Sequence, residues 1–571
     1  MNTATSDYTP KTRRFLPADF SIQEWESLQP YLDQLLEENP QGLEGLVSWL
    51  DKLDELNSII SEDVAWRYIR MSCDSLSKEK QSAYQHFVQN IAPHLSRYDD
   101  RFNRKIHDHP SFDQLPKEYH PFSRNLSKQL DLFEEENIAL NTEITSLGQQ
   151  YATLNATMSI TRNGTELTLQ QALKQLDEQD RSLRKEIWEQ VTDRRQEDQE
   201  RIEEIFDRMV SLRHQSAQNA GFETYADFRF AEKGRFDYSI EDTRAFHRAV
   251  EMMVKPVLAT FHKERKERLG LEQLRPFDLQ VDIFGSRPLN PFSKADELLD
   301  GVLRILERLH PRLAKMLQTM KDRGFLDLES RKGKMPGGYN YPLMETGVPF
   351  IFMNAAGSHS DVITLLHESG HAVQSFLIRD LPLSQRNLPS EVAELAAMSM
   401  ELLCLDLYDE FYDDELEKAR AQKNQLIRCI SVLPWIATVD AFQLWVYEHP
   451  HHTRAEREEA WSSLYRRFHG DVIDWSGYED KLQIQWMKQP HIFEYPFYYI
   501  EYGMAQLGAL SVWKNFRHQP EEGLKKYLEA LSLGYTKTIP EIYQTAGIRF
   551  DFSPEYVQES VAFCLEAYQD I

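Results

Sequence analysis

The chain has 571 residues, of which 41% are hydrophobic and 27% charged, as in a soluble globular protein long enough for two or more domains. Its 65 Lys and Arg residues against 91 Asp and Glu residues give a formal net charge of −26. This balance argues against a nucleic-acid binder or a protein held at an anionic membrane surface, and we expect peptide or small-molecule partners.

The four cysteines are Cys73, Cys404, Cys429 and Cys564, and none forms a C-x-x-C pair. Such sparse cysteines suit a reducing cytosol and are typical of buried apolar side chains. The first 16 residues hold no apolar core of signal-peptide length, and no run of 18 apolar residues occurs. We therefore expect a cytoplasmic protein without a transmembrane span.

Helical periodicity dominates the chain from about residue 22 to 150. Apolar residues recur there at three- and four-residue steps, and prolines mark the connections. The pattern breaks at 156–169, where Asn163-Gly164 lies between alternating β-forming residues and predicts a β-hairpin. A charged helical stretch follows at 170–215, and its charges are typical of a solvated helix face.

The middle of the chain alternates helices with irregular segments. We expect helices at 240–270 and 294–322, separated by a Pro-rich connector or short strand at 274–293. Residues 331–357 contain five glycines and two β-prone runs, which predict a small antiparallel sheet. Its edge strand could hold an extended peptide through main-chain hydrogen bonds, or the segment could be a simple connection.

The next segment, V-I-T-L-L-H-E-S-G-H-A-V-Q-S-F-L at 362–377, carries an H-E-x-x-H pattern on a predicted apolar helix. His367 and His371 are four residues apart, so both imidazoles lie on one face and can bind one zinc ion. Glu368 would then lie beside the water that completes the coordination. Ser358 with Asp361 predicts a capping box before the helix. The alternative is a buried core helix whose histidines are hydrogen-bonded to neighbouring carboxylates.

A third zinc ligand is expected from the helical segment at 390–403, because a carboxylate one helix downstream completes the His₂Glu class. Spacing alone leaves Glu391, Glu394 and Glu401 open. One of them could bind metal while a neighbour accepts a hydrogen bond from an imidazole N–H. A third histidine ligand is excluded, because the extended motif would need Gly and His at 374 and 377, where this chain has Gln and Leu.

The rest of the chain, to residue 571, is mostly helical and contains an aromatic segment that begins at His491. Four tyrosines follow within eight residues, and a phenol or imidazole can donate a hydrogen bond to the oxyanion of peptide hydrolysis. Tyr495, Tyr499 and Tyr502 are spaced to share one face of a continuous helix. The alternative is an aromatic stripe of the core.

Taken in order, these motifs resemble the oligoendopeptidase F and thimet oligopeptidase family of zinc metallopeptidases. The resemblance rests on H-E-S-G-H-A, E-V-A-E-L-A, H-x-x-x-Y-x-x-Y-Y-x-x-Y-G, the G-G-Y-N-Y and P-F-I-F-M-N runs, and L-R-P-F-D-L. It covers most of the chain from about 170 to 565. The resemblance implies a mainly α fold in which two lobes surround a deep central channel that admits short peptides. The expected regions are an N-terminal helical part, 1–170, and a catalytic part, 171–571.

The resemblance also implies roles for individual residues. The ligands of one Zn²⁺ would be His367, His371 and Glu394, with Glu368 as general base. The oxyanion and substrate-positioning groups would be His491, Tyr495 and Tyr502, with Tyr498 and Tyr499 as further candidates. Two positions depart from the family pattern without touching the ligands: Ser369 replaces a larger apolar residue, and Gln374 replaces a frequent histidine.

The expected function is therefore hydrolysis of internal peptide bonds in short peptides. Two other functions are compatible with the same residues. One is a peptide-binding scaffold that retains the zinc site, and the other is a zinc exopeptidase or amidase. Side-chain specificity, the physiological substrate and the oligomeric state are not encoded in any motif of the sequence.

Overall fold

Amphipathic helices build most of this protein, as the computed structural model describes it for residues 12–285, 287–335 and 337–571. The predicted mainly α fold is confirmed. Most of the N-terminal segment used to argue against a signal peptide lies outside the described residues.

The N-terminal helices form a hydrophobic core of their own. In the second helix, for example, Leu46, Trp49, Leu53 and Leu56 are buried at the three- and four-residue spacing of one helix face. This core contains buried residues from Leu16 to Leu126. The helices are α1 (Trp25–Glu37), α2 (Gly42–Cys73), α3 (Lys78–His86), α4 (Ala92–His107), α5 (His120–Leu132) and α6 (Glu135–Ala156).

The predicted hairpin is confirmed and precedes the next group of helices. Strands β1 (Ser159–Arg162) and β2 (Thr165–Thr168) pair antiparallel. Asn163 and Gly164 both have positive φ, as a tight hairpin turn requires. The following helices are α7 (Leu169–Lys174), α8 (Arg181–Glu197), α9 (Gln199–Asn219), α10 (Tyr225–Glu232), α11 (Ile240–Ala249), α12 (Lys255–Arg268), α13 (Ala295–Leu309) and α14 (Pro311–Asp322).

A three-stranded sheet follows, with strand order β3-β5-β4. The predicted antiparallel pair is confirmed by β4 (Tyr339–Tyr341) and β5 (Phe350–Ala355). The expectation of a purely antiparallel sheet is corrected by β3 (Leu326–Glu329), which pairs parallel to β5. A parallel pair needs a long connection, and β4 itself lies within it. In the order β3-β5-β4, strand β4 pairs with β5 on one side only and is therefore an edge strand.

The remaining helices form the large core, which contains buried residues from Leu132 to Ala567. They are α15 (His359–Ile378), α16 (Leu383–Arg386), α17 (Ser390–Leu403), α18 (Glu415–Glu448), α19 (Arg454–His469), α20 (Glu479–Gln483), α21 (Pro490–Glu494), α22 (Tyr499–His518), α23 (Pro520–Ser532), α24 (Ile539–Thr545) and α25 (Pro554–Asp570). Short 3₁₀ and π turns connect several elements, including Pro276–Asp278 and Gln485–Lys488.

Helix α18 runs through this core. By length and composition it could cross a membrane, but 78% of its most apolar 18-residue window is buried inside the protein. Buried Asp440 on this helix lies 2.9 Å from Nε2 of the buried His247. These features are those of the core helix of a folded protein.

Candidate metal centre

Helix α15 carries the H-E-x-x-H residues and begins as the sequence predicts. The Ser358 side chain accepts a hydrogen bond from the Asp361 backbone N–H, and Asp361 in turn accepts from the Ser358 N–H. This capping box fixes the first turn of the helix. Two turns later the rings of His367 and His371 lie on one face with their centroids 5.0 Å apart.

Glu394, on α17, completes the group. Its Oε2 lies 3.4 Å from Nε2 of His367 and 3.9 Å from Nε2 of His371. The three potential ligand atoms all lie within 4.8 Å of one another. The helices come this close because Gly370 has no side chain. A Cβ there would lie 2.6 Å from the Ala396 carbonyl oxygen.

The three glutamates that the sequence left open have separate surroundings. Oε1 of Glu401 lies 2.7 Å from Nδ1 of His367, which orients the ring for a ligand at Nε2. Gln425 donates to the other oxygen of Glu401. Glu391 points away from the histidines and accepts a hydrogen bond of 2.5 Å from Tyr238.

This donor set fits a zinc ion. Glu394 is buried, and its Oε2 has no hydrogen-bond partner among the described residues, although it faces both imidazoles. Burial opposes ionisation of Glu394, but the approach of both imidazoles to its Oε2 and the hydrogen bond that Tyr498 donates to its Oε1 lower its pKa to about 2. A buried, ionised carboxylate beside two histidines matches the His₂Glu ligand class of zinc.

Glu368 lies next to this group but is not part of it. Its side chain is 6% exposed, and its Oε2 also has no partner among the described residues. Burial raises the pKa of Glu368 to about 7. A carboxylate with a pKa near neutrality is suited to accepting and returning a proton.

The aromatic segment does not form one helix, which corrects the prediction that Tyr495, Tyr499 and Tyr502 share a helical face. Helix α21 ends at Glu494, and α22 begins at Tyr499. Phe497 between them has a φ of 63°, a strained conformation for a non-glycine residue. The Gln443 side chain accepts from its N–H, and Arg235 donates to its carbonyl, which holds the turn.

This break decides which tyrosines reach the site. Tyr498 donates a hydrogen bond of 2.6 Å to Oε1 of Glu394. The Tyr502 hydroxyl lies 3.4 Å from Nε2 of His491. Tyr495 is 53% exposed and lines the same cavity without a side-chain hydrogen bond to the described residues. Sequence spacing gave Tyr498 too little weight, because the turn at Phe497 could not be anticipated.

His491 is held by a second chain of contacts. The indole of Trp435 donates to Oε1 of Gln489, 3.2 Å away. The Gln489 amide nitrogen is therefore free to donate to Nδ1 of His491 at 2.7 Å. An accepting Nδ1 places the proton of the neutral ring on Nε2, the side of Tyr502. Burial lowers the pKa of His491 to about 4, so this neutral form persists near pH 7.

One cavity of about 820 Å³ is lined by the three candidate ligands and Glu368 and by His491, Tyr495, Tyr498 and Tyr502. The edge strand β4 forms part of its wall, and Tyr68 of α2 lines it next to this strand, with its ring 5.6 Å from that of Tyr339. Glu494 also lines it, and burial raises the pKa of this carboxyl to about 7. The N-terminal helices and the large core therefore enclose the site together.

Comparisons with known proteins agree with this geometry. The chain is 24% identical over 315 residues to oligopeptidase PepF of Bacillus subtilis (strain 168), covering 53% of this chain and 45% of that protein. It is 23% identical over 310 residues to the chromosomal oligoendopeptidase F of Lactococcus lactis subsp. cremoris, covering 53% and 50%. The matches thus span about half the length of these curated relatives.

Structural similarity extends over nearly the whole chain. The solved structure of PZ peptidase A with an inhibitor superposes with a TM-score of 0.92 and 27% identity, over 97% of this chain and 99% of that one. The profile of the peptidase M3 N-terminal domain matches residues 15–133, and that of peptidase family M3 matches residues 174–562. The chain belongs to peptidase family M3.

Proposed function

We propose that this protein is a zinc-dependent endopeptidase that hydrolyses internal bonds of short peptides. The observation that carries the proposal is the convergence of His367, His371 and Glu394 within 4.8 Å, with the buried Glu368 beside them in one enclosed cavity. Membership of peptidase family M3 and the resemblance to named oligopeptidases support it.

His367, His371 and Glu394 would hold one Zn²⁺, with Glu401 orienting His367 through its Nδ1. When bound, Zn²⁺ acts as a Lewis acid that acidifies water and polarises a carbonyl oxygen. The protein contributes a fixed set of ligands whose side chains are already placed by the contact between α15 and α17.

Glu368 would act as the general base and then as the proton donor. Its free oxygen accepts the proton of the attacking water and passes it to the leaving amine. Burial favours this exchange, because it brings the pKa of Glu368 close to neutrality.

The phenols and the imidazole would stabilise negative charge on the scissile carbonyl oxygen. Tyr502 and the Nε2–H of His491 form one donor pair on the cavity wall. Tyr495 lies at a more exposed position and would contact the substrate beside the reacting bond. The Tyr498 hydroxyl donates its hydrogen bond to Glu394. We therefore assign Tyr498 the role of supporting this proposed zinc ligand, and not that of stabilising the oxyanion.

Peptide substrates would bind as an added strand. Strand β4 has a free edge, and Tyr339, Asn340 and Tyr341 line the cavity. Because residues of α2, α6 and the large core all line this cavity, folded proteins would be excluded and short flexible peptides admitted. We retain two further expectations as proposals: a cytoplasmic location, which the four free cysteines support, and a division into regions 1–170 and 171–571.

The proposal is tested by metal analysis of the purified protein combined with a series of internally quenched peptides of increasing length. We expect about one zinc per chain, cleavage that a chelator abolishes, and a length above which cleavage stops. Peptides with blocked termini should still be cleaved at an internal bond. A requirement for a free terminus at the cleaved bond would instead identify an exopeptidase, and binding without cleavage would identify a scaffold.

A further inference from the structure

A second cavity, of about 390 Å³, lies behind the catalytic wall. Trp435 and Lys488 line it, and they adjoin Gln489, which positions His491. An intermediate cavity of about 880 Å³ shares Arg265 and Ser431 with it. That intermediate cavity in turn shares Gly337 and Gly338 with the catalytic cavity. The three spaces thus adjoin one another in series, and we call the cavity behind the wall the rear chamber.

The rear chamber is lined by cations from three separate elements. Arg195 comes from α8, Arg265 from α12 and Lys488 from the 3₁₀ turn before α21. Within the part of the chain that the structure describes, none of the three forms an ion pair. Glu264 also lines the chamber, but it is paired with Arg268 at 2.8 Å.

The existing contacts of these cations are all with neutral groups. Nζ of Lys488 donates to the Gln485 side chain at 2.6 Å and lies 4.6 Å from the Trp435 ring centroid. Arg265 donates to the carbonyl oxygens of Asp278 and Val281. Nε of Arg195 is buried without a partner among the described residues. Each cation therefore keeps donor capacity for an anion.

This concentration of charge is costly in the empty protein. Burial, followed by the neighbouring Arg195, lowers the pKa of Lys488 to about 7, and burial lowers that of Arg265 to about 10. The protein as a whole carries 26 excess negative charges, yet among the described residues none of these cations forms a direct ion pair, although Asp282, Asp278 and Glu264 lie close enough to Arg265 to raise its pKa. Unpaired charges inside a protein destabilise it unless a ligand compensates them.

We propose that the rear chamber is the subsite for a carboxylate of the bound peptide. The proposal rests on the proposed peptidase function and names a substrate feature that this function leaves open. The carboxylate could be the C-terminus of the peptide or an Asp or Glu side chain. Both would receive charge-assisted hydrogen bonds from Arg195 and Lys488 in the last of the three adjoining cavities.

Binding is measured first, without turnover, on zinc-loaded full-length protein carrying Glu368→Ala. Fluorescently labelled peptides of one sequence are compared with a free or amidated C-terminus and with an internal Glu or Gln. We expect at least one carboxylate to tighten binding by about tenfold, the value of one hydrogen bond to a charged group. The C-terminal and the internal pairs of peptides identify which carboxylate it is. Equal affinity for all four peptides would overturn the proposal.

The same peptides are then tested on Lys488→Met and Arg195→Met, with the exposed Lys525→Met and Arg201→Met as controls. We expect the two chamber variants to lose the preference for the carboxylate while binding the neutral peptide as before, and the controls to keep it. Their Tm should be unchanged or higher, because an unpaired buried charge has been removed. A preference that survives both chamber substitutions would overturn the assignment.

Failure of the proposed function would look different. In that case the protein with Glu368 intact would cleave none of the four peptides, whereas the binding comparison would still report on the chamber. If the wild-type protein cleaved all four peptides with the same kcat/KM, the peptidase function would be retained and the carboxylate subsite rejected.

Discussion

The hydroxyl of Tyr498 donates a hydrogen bond of 2.6 Å to Oε1 of Glu394, the carboxylate that faces both histidines. This contact separates the tyrosines of one short segment into two roles. Tyr498 supports the proposed metal ligand Glu394, whereas Tyr502 lies beside Nε2 of His491 on the cavity wall.

Phenylalanine substitutions should separate these roles. Tyr498→Phe removes the donor to Glu394 and should weaken zinc binding about tenfold or more, as other losses of ligand support do. Tyr502→Phe should leave zinc affinity unchanged and lower kcat by about 10²–10³, the cost of losing an oxyanion donor. Competition with a zinc chelator gives the affinities, and a quenched peptide gives kcat. Equal behaviour of the two variants would contradict this division.

Removing the proposed general base should lower turnover strongly and leave metal binding unchanged. In Glu368→Ala we expect zinc content to match the wild type, because Glu368 is not one of the converging ligands. Peptide cleavage should fall by about 10²–10⁴, the usual contribution of a positioned acid or base. Metal analysis and kcat are measured on the same preparation. Substantial cleavage by the zinc-loaded variant would remove Glu368 from the role.

Glu401 and Glu391 lie on the same helix, so substitutions at these two positions can be compared as a matched pair of variants. Glu401→Gln weakens the acceptor for Nδ1 of His367 and should reduce zinc affinity by about 10–100-fold. Glu391→Gln alters the contact with Tyr238, so it should lower Tm while leaving zinc affinity near the wild type. Chelator competition and thermal unfolding measure the two effects. The assignment fails if Glu391→Gln is the variant that loses zinc.

The crossing of α15 and α17 at Gly370 should tolerate no side chain. In Gly370→Ala the added methyl group would meet the Ala396 carbonyl oxygen and the Ala397 Cα at 2.6 Å, so the helices must separate. We expect a loss of about 1–3 kcal/mol in the free energy of unfolding, together with weaker zinc binding. The neighbouring Ser369→Ala is the control, because it removes atoms instead of adding them. A Gly370→Ala protein with wild-type stability and zinc affinity would show that the contact is not tight.

The stability of the protein should depend on Glu494 in a defined pH range. Burial raises the pKa of Glu494 to about 7 from an ordinary value of 4.5. Between these values the folded state keeps a proton that the unfolded state has released, so stability falls as the pH rises through this range. Glu494→Gln should therefore have a Tm near the wild type at pH 4.5 and a higher Tm at pH 8.

The exposed Glu566→Gln is the control for this measurement, and it should show the same small difference in Tm at both pH values. If the Tm of Glu494→Gln differs from the wild type equally at both, the Glu494 carboxyl is not the group that titrates in this range.

Local patterns in the sequence were sufficient for the elements that carry the site. The H-E-x-x-H helix, its capping box and the hairpin at Asn163-Gly164 all depend on contacts between residues at most nine positions apart. Such contacts are specified by side-chain type and spacing alone, which is why these predictions are confirmed. The third strand of the sheet was missed because its parallel partner lies more than twenty residues away.

Tertiary packing decided what spacing left open. Glu391, Glu394 and Glu401 are the same residue type on one helix, so the sequence does not show which of them binds a metal. The close crossing of the helices at Gly370 places Glu394 beside both histidines. Tyr498 reaches Glu394 because the chain breaks at Phe497, a backbone conformation held by the distant Gln443 and Arg235. The unpaired cations of the rear chamber likewise come from three separate elements. The sequence by itself therefore determined the chemistry that is available, and packing between distant helices decided which side chains meet.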